Sequence, residues 1–568
     1  MPSETASAAL LGALSKLLTE VAAVPLRLDV AGVDAVRKRQ TEVVDQLSDY
    51  VLPRLVQLDA PLLTVVGGST GAGKSTLVNS ICGERVTESG VLRPTTRSPV
   101  LVHHPDDAEW FQPDRILPDL PRTDVPTNDV YALRVTQSVR VPRGLAILDA
   151  PDVDSIDAGN RELAGHLLAA ADLWLFVTSA SRYADQVPWD YLRQAAERST
   201  SVAVVLDRTH ADAVIEVRGH LARMMTSRGL SDSPLFTVPE SGTDTEGLLP
   251  PEAVAPIVGW LHDLAADPKA RTAVVSQTLD GAVRHNVLRT HDIADALDVQ
   301  ADAASHLYGL AQDVYAEAAT FIDRESSDGT LLSGELLAEW QAYVGTGEMV
   351  RSVEERVSRI RDRLVEGVTG RRTRSSEVAD AVDAALHSLI VGYAESAAEA
   401  LTRAWNADEA GRSLLASTRG LDRASHELRT KVERILRDWQ AGVFETVRIE
   451  GSDKRMTAKF LAFGVNGVGA TLMVVALEHA AGHHGASEVG RRLLEAIFGP
   501  ERLDQLVTAA HAELQASVVR LLEDEKQRFL DLLDSPETIR TAQDTLRDAA
   551  RQAEYARHAD FLDGDPTS

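Results

Sequence analysis

The spacing of apolar residues changes texture twice along the chain. Over residues 5–58 apolar positions recur at intervals of three and four with charges between them, as in VDAVRKRQTEVVDQLSDYVLPRLVQL, which predicts helices. Short apolar runs then take over: LLTVV (62–66), PVLV (99–102), VYALRV (130–135), LAIL (145–148), LWLFV (173–177), VAVVL (202–206) and LFTV (235–238). Helix-like segments separate several of these runs. Buried strands alternating with helices predict an α/β domain, a mostly parallel sheet with helices on both faces. The Pro- and Asp-rich stretch 104–129 reads as a surface insertion. From about residue 255 the strands stop, and helical period fills 270–325, 333–368, 375–405, 412–449 and 500–560. In the last of these, Leu503, Val507, Ala510, Leu514, Val518 and Leu521 form one stripe, as in an antiparallel bundle or a coiled-coil stalk. The expected layout is an N-terminal helical segment (1–58), an α/β domain (59–254) and a large all-α helical bundle (255–568).

Composition narrows the classes. Of 568 residues 44% are hydrophobic, enough for a sizeable core. The net charge of −27 argues against a nucleic-acid partner, because phosphate backbones are bound by clustered Lys and Arg. Cys82 is the only cysteine, so no intramolecular disulfide can form, which suits a reducing cytoplasm. The N-terminal residues lack a basic leader with a long apolar core and read as helix rather than as a signal peptide.

The candidate chemistry begins at 68–75. Gly68-Ser69-Thr70-Gly71-Ala72-Gly73-Lys74-Ser75, followed by Thr76, fits GxxxxGK[ST] between a predicted strand and a predicted helix. Glycines let main-chain N–H groups turn inward onto phosphate oxygens, and the helix N-terminus adds its dipole. Lys74 would bridge β- and γ-phosphates, and Ser75 would ligate Mg²⁺. In RPTTRSPVLV (93–102), Thr95 or Thr96 is placed to close over a γ-phosphate, as a switch loop does. In GLAILDAPDVDS (144–155) an apolar strand ends in Asp149, from which a carboxylate reaches Mg²⁺ through water.

Together with ADLWLFVTSASRYADQVPWDYLRQA, these motifs resemble the dynamin-like large GTPases of bacteria, over about residues 60–250. The resemblance implies a P-loop GTPase domain that binds GTP and Mg²⁺, the latter held by Ser75, Thr96 and Asp149. It places Thr96 as the switch threonine, with Lys74 acting on the transferred phosphoryl group. It also implies homo- or hetero-dimerisation through the GTPase domain, and hydrolysis that moves a helical trunk to remodel or tether a membrane. A cytoplasmic protein, peripheral at the inner face of the cell membrane, is the corresponding location. The chain departs from the family pattern in three places. Asp152 replaces the glycine of DxxG, bringing a carboxylate towards the phosphates. The base-reading NKxD motif becomes DRTH, with Asp207 and Arg208 at the Asn and Lys positions and His210 at the Asp position; VPES (238–241) stands where a second base-side loop is expected. Val153 occupies the water-orienting position, which leaves Ser69 and Thr70 as the polar candidates for catalysis within the phosphate loop. A nucleotide-binding scaffold with little turnover, using GTP or ATP, is the alternative reading.

Three further features were weighed. The run FLAFGVNGVGATLMVVAL (460–477) follows Lys454, Arg455 and Lys459 and holds no charge. It reads as a buried helix or hairpin, as a membrane-inserting tip or as a span. GRRTRSS (370–376) is a second basic spot, or a solvated turn between helices. HAAGHH places His479 and His483 one turn apart without an obvious third ligand and reads as a polar loop.

Overall fold

The computed structural model describes residues 4–88, 98–113, 115–117, 120–125, 127, 129, 131–155, 157–197, 200–210, 212–344, 366–451, 457–480 and 487–562. The chain divides into two compact units. One comprises Met1–Leu26, Gly32–Asp298 and Arg540–Ser568; the other comprises Arg27–Ala31 and Val299–Ile539.

The first unit is built on an eight-stranded sheet: β1 (Leu62–Gly68), β2 (Val100–His103), β3 (Arg122–Thr123), β4 (Leu133–Gln137), β5 (Leu145–Asp149), β6 (Leu173–Ser179), β7 (Ser201–Thr209) and β8 (Leu235–Pro239). Their order is β3-β4-β2-β5-β1-β6-β7-β8, and every pair is parallel except β2 with β5. Every residue of β1, β5 and β6 is buried, as expected of central strands covered on both faces. All seven apolar runs become strands. The two-residue β3 was not expected, and it changes the reading of 104–129. That stretch is folded onto the sheet edge: Phe111, Leu117 and Leu120 are buried, and Phe111 stacks on His103 with ring centroids 4.8 Å apart. Among its described residues, Pro105–Phe111 form a 3-10 helix.

The N-terminal region forms helices Glu4–Ala22, Val33–Gln46 and Leu52–Val56. A buried polar knot ties the last of them to the sheet. Asp172, just before β6, accepts hydrogen bonds from Arg54 Nε (3.0 Å), Tyr50 Oη (3.1 Å) and the Leu63 amide of β1 (2.8 Å). Burial, and then the Asp172 carboxylate, push the Tyr50 phenol well above its ordinary range, so it remains a donor.

The second unit is helical. It contains Gly334–Val344, Glu366–Ala407, Glu409–Ala416, Leu428–Glu450, Thr457–Ala476, Glu488–Phe498 and Pro500–Leu530, and the helix Pro268–Glu325 runs into it from the first unit. The stripe Leu503, Val507, Ala510, Leu514, Val518 and Leu521 is buried throughout, as its period predicts. The basic spot 370–376 lies inside the continuous helix Glu366–Ala407 rather than at an interhelical turn. Within the apolar run, Gly464 breaks helical geometry (φ 68°, ψ 169°). Beyond it Val468, Ala470 and Leu472 through Leu477 are buried. A Cβ on Gly469 would lie 2.1 Å from Phe444 Cδ1, so glycine permits the close approach of these two helices. From Val468 onward this run is therefore a buried helix. Among the described residues no helix is long and apolar enough to cross a membrane.

Asp172→Ala strands the buried Arg54 guanidinium and the Leu63 amide. We expect a loss of about 3–5 kcal/mol, read as a lower urea midpoint for the α/β unit by fluorescence and circular dichroism.

Candidate functional site

Parallel β1 delivers the chain into the glycine loop, and the sheet fixes where that loop begins. Gly68 pairs with Val177 of β6 and has φ 144°. A Cβ at this position would fall 1.9 Å from the Val177 carbonyl oxygen, so no other residue fits. The loop turns through Gly71 (φ 75°) and Gly73 (φ 95°), the latter capping the helix Lys74–Cys82. Ala72 and Ser69 are fully buried, while Ser75 and Thr76 are half-buried on the first turn of that helix. The Ser69 Oγ is buried with no partner among the described residues. Lys74 is buried as well; its Nζ donates to the Ser69 carbonyl (3.2 Å) and pairs with the Asp152 carboxylate.

Asp149, the last residue of β5, lies beside this helix start. It is fully buried. Its Oδ2 accepts from Thr87 Oγ1 (2.9 Å), whereas Oδ1 is buried without a hydrogen bond. Burial raises the carboxyl above its ordinary range; the Ser75 hydroxyl, the Lys74 charge and the Thr87 hydroxyl oppose this, and Asp152 adds to it. A buried carboxylate that bonds the Ser75 hydroxyl, feels the Lys74 charge and keeps one oxygen without a hydrogen bond suits a cation. The donor set Ser75 and Asp149 is hard oxygen, as Mg²⁺ prefers. Among the described residues no three His, Cys, Asp or Glu side chains cluster as a metal site of their own. A Mg²⁺ here would take its remaining ligands from phosphate and water.

On the other side of the loop, Asp207 and Arg208 close over Gly73. A Cβ on Gly73 would lie 2.2 Å from Asp207 Oδ2 and 3.6 Å from Arg208 Nε. Arg208 has φ 51°, uncommon for a residue with a side chain, and its amide donates to Asp207 Oδ1 (2.7 Å). Further out, His210 Nε2 and Glu240 Oε2 are 3.1 Å apart, both exposed, so the two expected base-side loops meet.

The structure thus gathers Gly68 through Thr76, Asp149, Asp207 and Arg208 around one loop. Thr95 and Thr96 lie outside the described residues, and so does His483. Thr87, Asn79, Asp154 and Arg182 went unread in the sequence. Thr87 bonds Asp149, and Asn79 fixes its turn by accepting from the Val86 (2.8 Å) and Thr87 (2.9 Å) amides. Asp154 Oδ1 accepts from the Thr70 amide (2.6 Å) and the Thr70 hydroxyl (2.7 Å). Asp154 Oδ2 accepts from Arg182 Nη1 (2.7 Å). The only sequence signal for Asp154 is its position two residues past Asp152, and nothing in the pattern shows the chain folding back onto the loop.

Burial pushes the Asp207 carboxyl up to about 6, against the pull of the Arg208 amide and charge. The folded chain therefore holds that proton more tightly than the unfolded chain, in which an Asp titrates near 4. Stability at this site is greatest below about pH 4 and falls as pH rises through 6, by up to about 3 kcal/mol. Asp207→Asn keeps an acceptor for the Arg208 amide and removes the charge. Its melting temperature should exceed that of the parent at pH 8, with the gain fading below pH 5; a gain that does not vary with pH would contradict the assignment.

No protein-family profile matches the chain. A curated relative, the probable chloroplastic transmembrane GTPase FZO-like of Arabidopsis thaliana, is 24% identical over 153 residues. The match takes in 27% of this chain and spans only 16% of that relative's length. Among solved structures, an oligomerised bacterial dynamin pair, described as providing a mechanism for long-range sensing and tethering of membranes, aligns with 98% of this chain and 95% of its own. It is 11% identical with a TM-score of 0.40. The LeoA bacterial dynamin GTPase from ETEC aligns with 97% of this chain and 100% of its own at 13% identity and a TM-score of 0.23. In its motifs, the chain is similar to the dynamin-like GTPases of bacteria.

Proposed function

We propose that residues 59–254 bind GTP with Mg²⁺ and hydrolyse it, and that the helical half responds to the loss of the γ-phosphate. One observation carries the nucleotide assignment. The buried, unbonded Asp149 Oδ1 lies beside Ser75 and Lys74 at the mouth of a loop that only glycine can enter at Gly68. Bound Mg²⁺ would supply charge for the β- and γ-phosphoryl oxygens, with Ser75, Thr96 and Asp149 holding it directly or through water. The chain's own part is positioning. Main-chain amides of Thr70 through Ser75 line the loop, Lys74 provides the adjacent cation, and the Ser69 hydroxyl is a buried donor in want of an acceptor. Asp207 and Arg208 stand over the loop where a base-side contact would form. Guanine rather than adenine is favoured by the motif resemblance. Dimerisation through this domain and peripheral membrane association are proposed on the same resemblance.

A second reading, a scaffold with little turnover, is favoured by the acidic segment 152–154. Asp152, at the position of the family's glycine, pairs with the loop lysine that would otherwise act on the transferred phosphoryl group.

Single-turnover hydrolysis of GTP and of ATP, with and without anionic liposomes, separates the readings. We expect GTP turnover that rises with lipid; tight binding without turnover would establish the scaffold. Lys74→Ala should weaken GTP binding by 100-fold or more in equilibrium titration, and undiminished binding would mean the pocket lies elsewhere.

A further inference from the structure

The Asp154 carboxylate has the bonds of a bound anion. One oxygen takes the amide and hydroxyl of Thr70 in the glycine loop, at 2.6 and 2.7 Å; the other takes a guanidinium nitrogen of Arg182, at 2.7 Å. Those are the donors an oxyanion seeks: a loop amide, a hydroxyl and a guanidinium N–H. The oxygens of a carboxylate and of a phosphoryl group are spaced within a fraction of an ångström of each other. A phosphoryl group reaching Thr70 would therefore meet the same three donors once Asp154 has moved aside.

Arg182 is held where this exchange needs it. It lies in the turn after β6, the strand that pairs with β1, so the turn opens at the same end of the sheet as the glycine loop. The turn is tight: the Arg182 and Tyr183 amides donate to the Ser179 carbonyl (2.9 Å each), and the Asp185 amide donates to the Arg182 carbonyl (3.0 Å). Trp189 Nε1 anchors it through the Tyr183 carbonyl (2.7 Å). The Arg182 side chain is 38% exposed, enough to swing while its backbone stays fixed.

Local charge favours a further cation at the phosphates beside Lys74 and the proposed Mg²⁺. Four carboxylates, Asp149, Asp152, Asp154 and Asp207, surround the loop, against Lys74, Arg182 and Arg208. A triphosphate adds further negative charge, and Lys74 already faces Asp152. We infer that Arg182 is a phosphate-binding residue, surrendered by Asp154 to the terminal phosphoryl group of the nucleotide. This rests on the proposed nucleotide site.

The test uses the full-length chain, Mg²⁺ and a fluorescent β,γ-imido GTP analogue, with fluorescent GDP in parallel. Asp154→Asn removes the competing charge and should tighten analogue binding several-fold. The decisive comparison is made in that background, where Arg182 has no carboxylate to release. Adding Arg182→Gln to Asp154→Asn should weaken the analogue by about 10-fold or more and GDP by much less, while Arg182→Lys should restore part of the loss. Equal or tighter analogue binding on adding Arg182→Gln would overturn the inference, as would an equal loss for GDP. Circular dichroism and melting of each variant exclude misfolding as the cause. If the parent chain binds neither nucleotide, it is the proposed function that fails, and that result is distinguishable because it precedes any comparison of variants.

Discussion

The approach of Gly68 to the Val177 carbonyl is the contact on which the site is built. β1 and β6 run parallel in register, and the strands come so close there that the chain tolerates no side chain at Gly68. On its other edge β1 pairs with β5, setting Val66 opposite Asp149. Because all three strands point the same way, their C-terminal ends open onto one crevice. The first contributes the glycine loop, the second Asp149 and the acidic segment after it, and the third the turn that carries Arg182. None of these segments is near another in sequence. Shifting the β1–β6 register by one residue would change the residue that meets the Val177 carbonyl and displace the Arg182 turn relative to Thr70.

Electrostatics then decides how the crevice behaves. A glycine loop at a helix start attracts anions whatever their source. Here the nearest anions belong to the protein. Asp152 pairs with Lys74, and Asp154 links Thr70 to Arg182. Asp149 is different in kind: it is fully buried, and one of its oxygens lacks a donor. The two exchangeable carboxylates and the one buried carboxylate suit different tasks. In the proposed site the first two would compete with phosphate, while the third would hold a cation that the phosphate brings with it.

Much of this was legible in the sequence, for identifiable reasons. Central parallel strands are buried on both faces, so LLTVV, LAIL and LWLFV appear as unbroken apolar runs and their places were plain. The glycine loop was legible because its spacing is dictated by its geometry. β3 was not, since two residues carry no period. The contacts of Thr87, Asp154 and Arg182 were illegible for another reason: they depend on where loops fold back in space, and loop residues have no repeating pattern. The apolar run 460–477 failed differently. Its hydropathy suits a bundle core and a membrane equally, and only the packing of Gly469 against Phe444 separates them beyond residue 467.

The internal carboxylates also bear on what kind of ligand the loop can discriminate. Any anion that reaches Thr70 gains only the difference between its own contacts and those that Asp154 gives up. A ligand whose phosphates stop short of Thr70 leaves that bridge intact and gains nothing from Arg182. One that reaches it must displace the Asp154 carboxylate, beside a backbone held by the Val153 amide on the Gly68 carbonyl (3.3 Å) and the Ala150 amide on the Val66 carbonyl (3.2 Å). In the proposed exchange, phosphate chain length is thereby converted into whether the Asp154 bridge between Thr70 and Arg182 stands or opens. The conversion needs no flexible switch beyond the exchange of one oxyanion for another. It follows from placing an aspartate where a phosphate's donors are, and an arginine within reach of both.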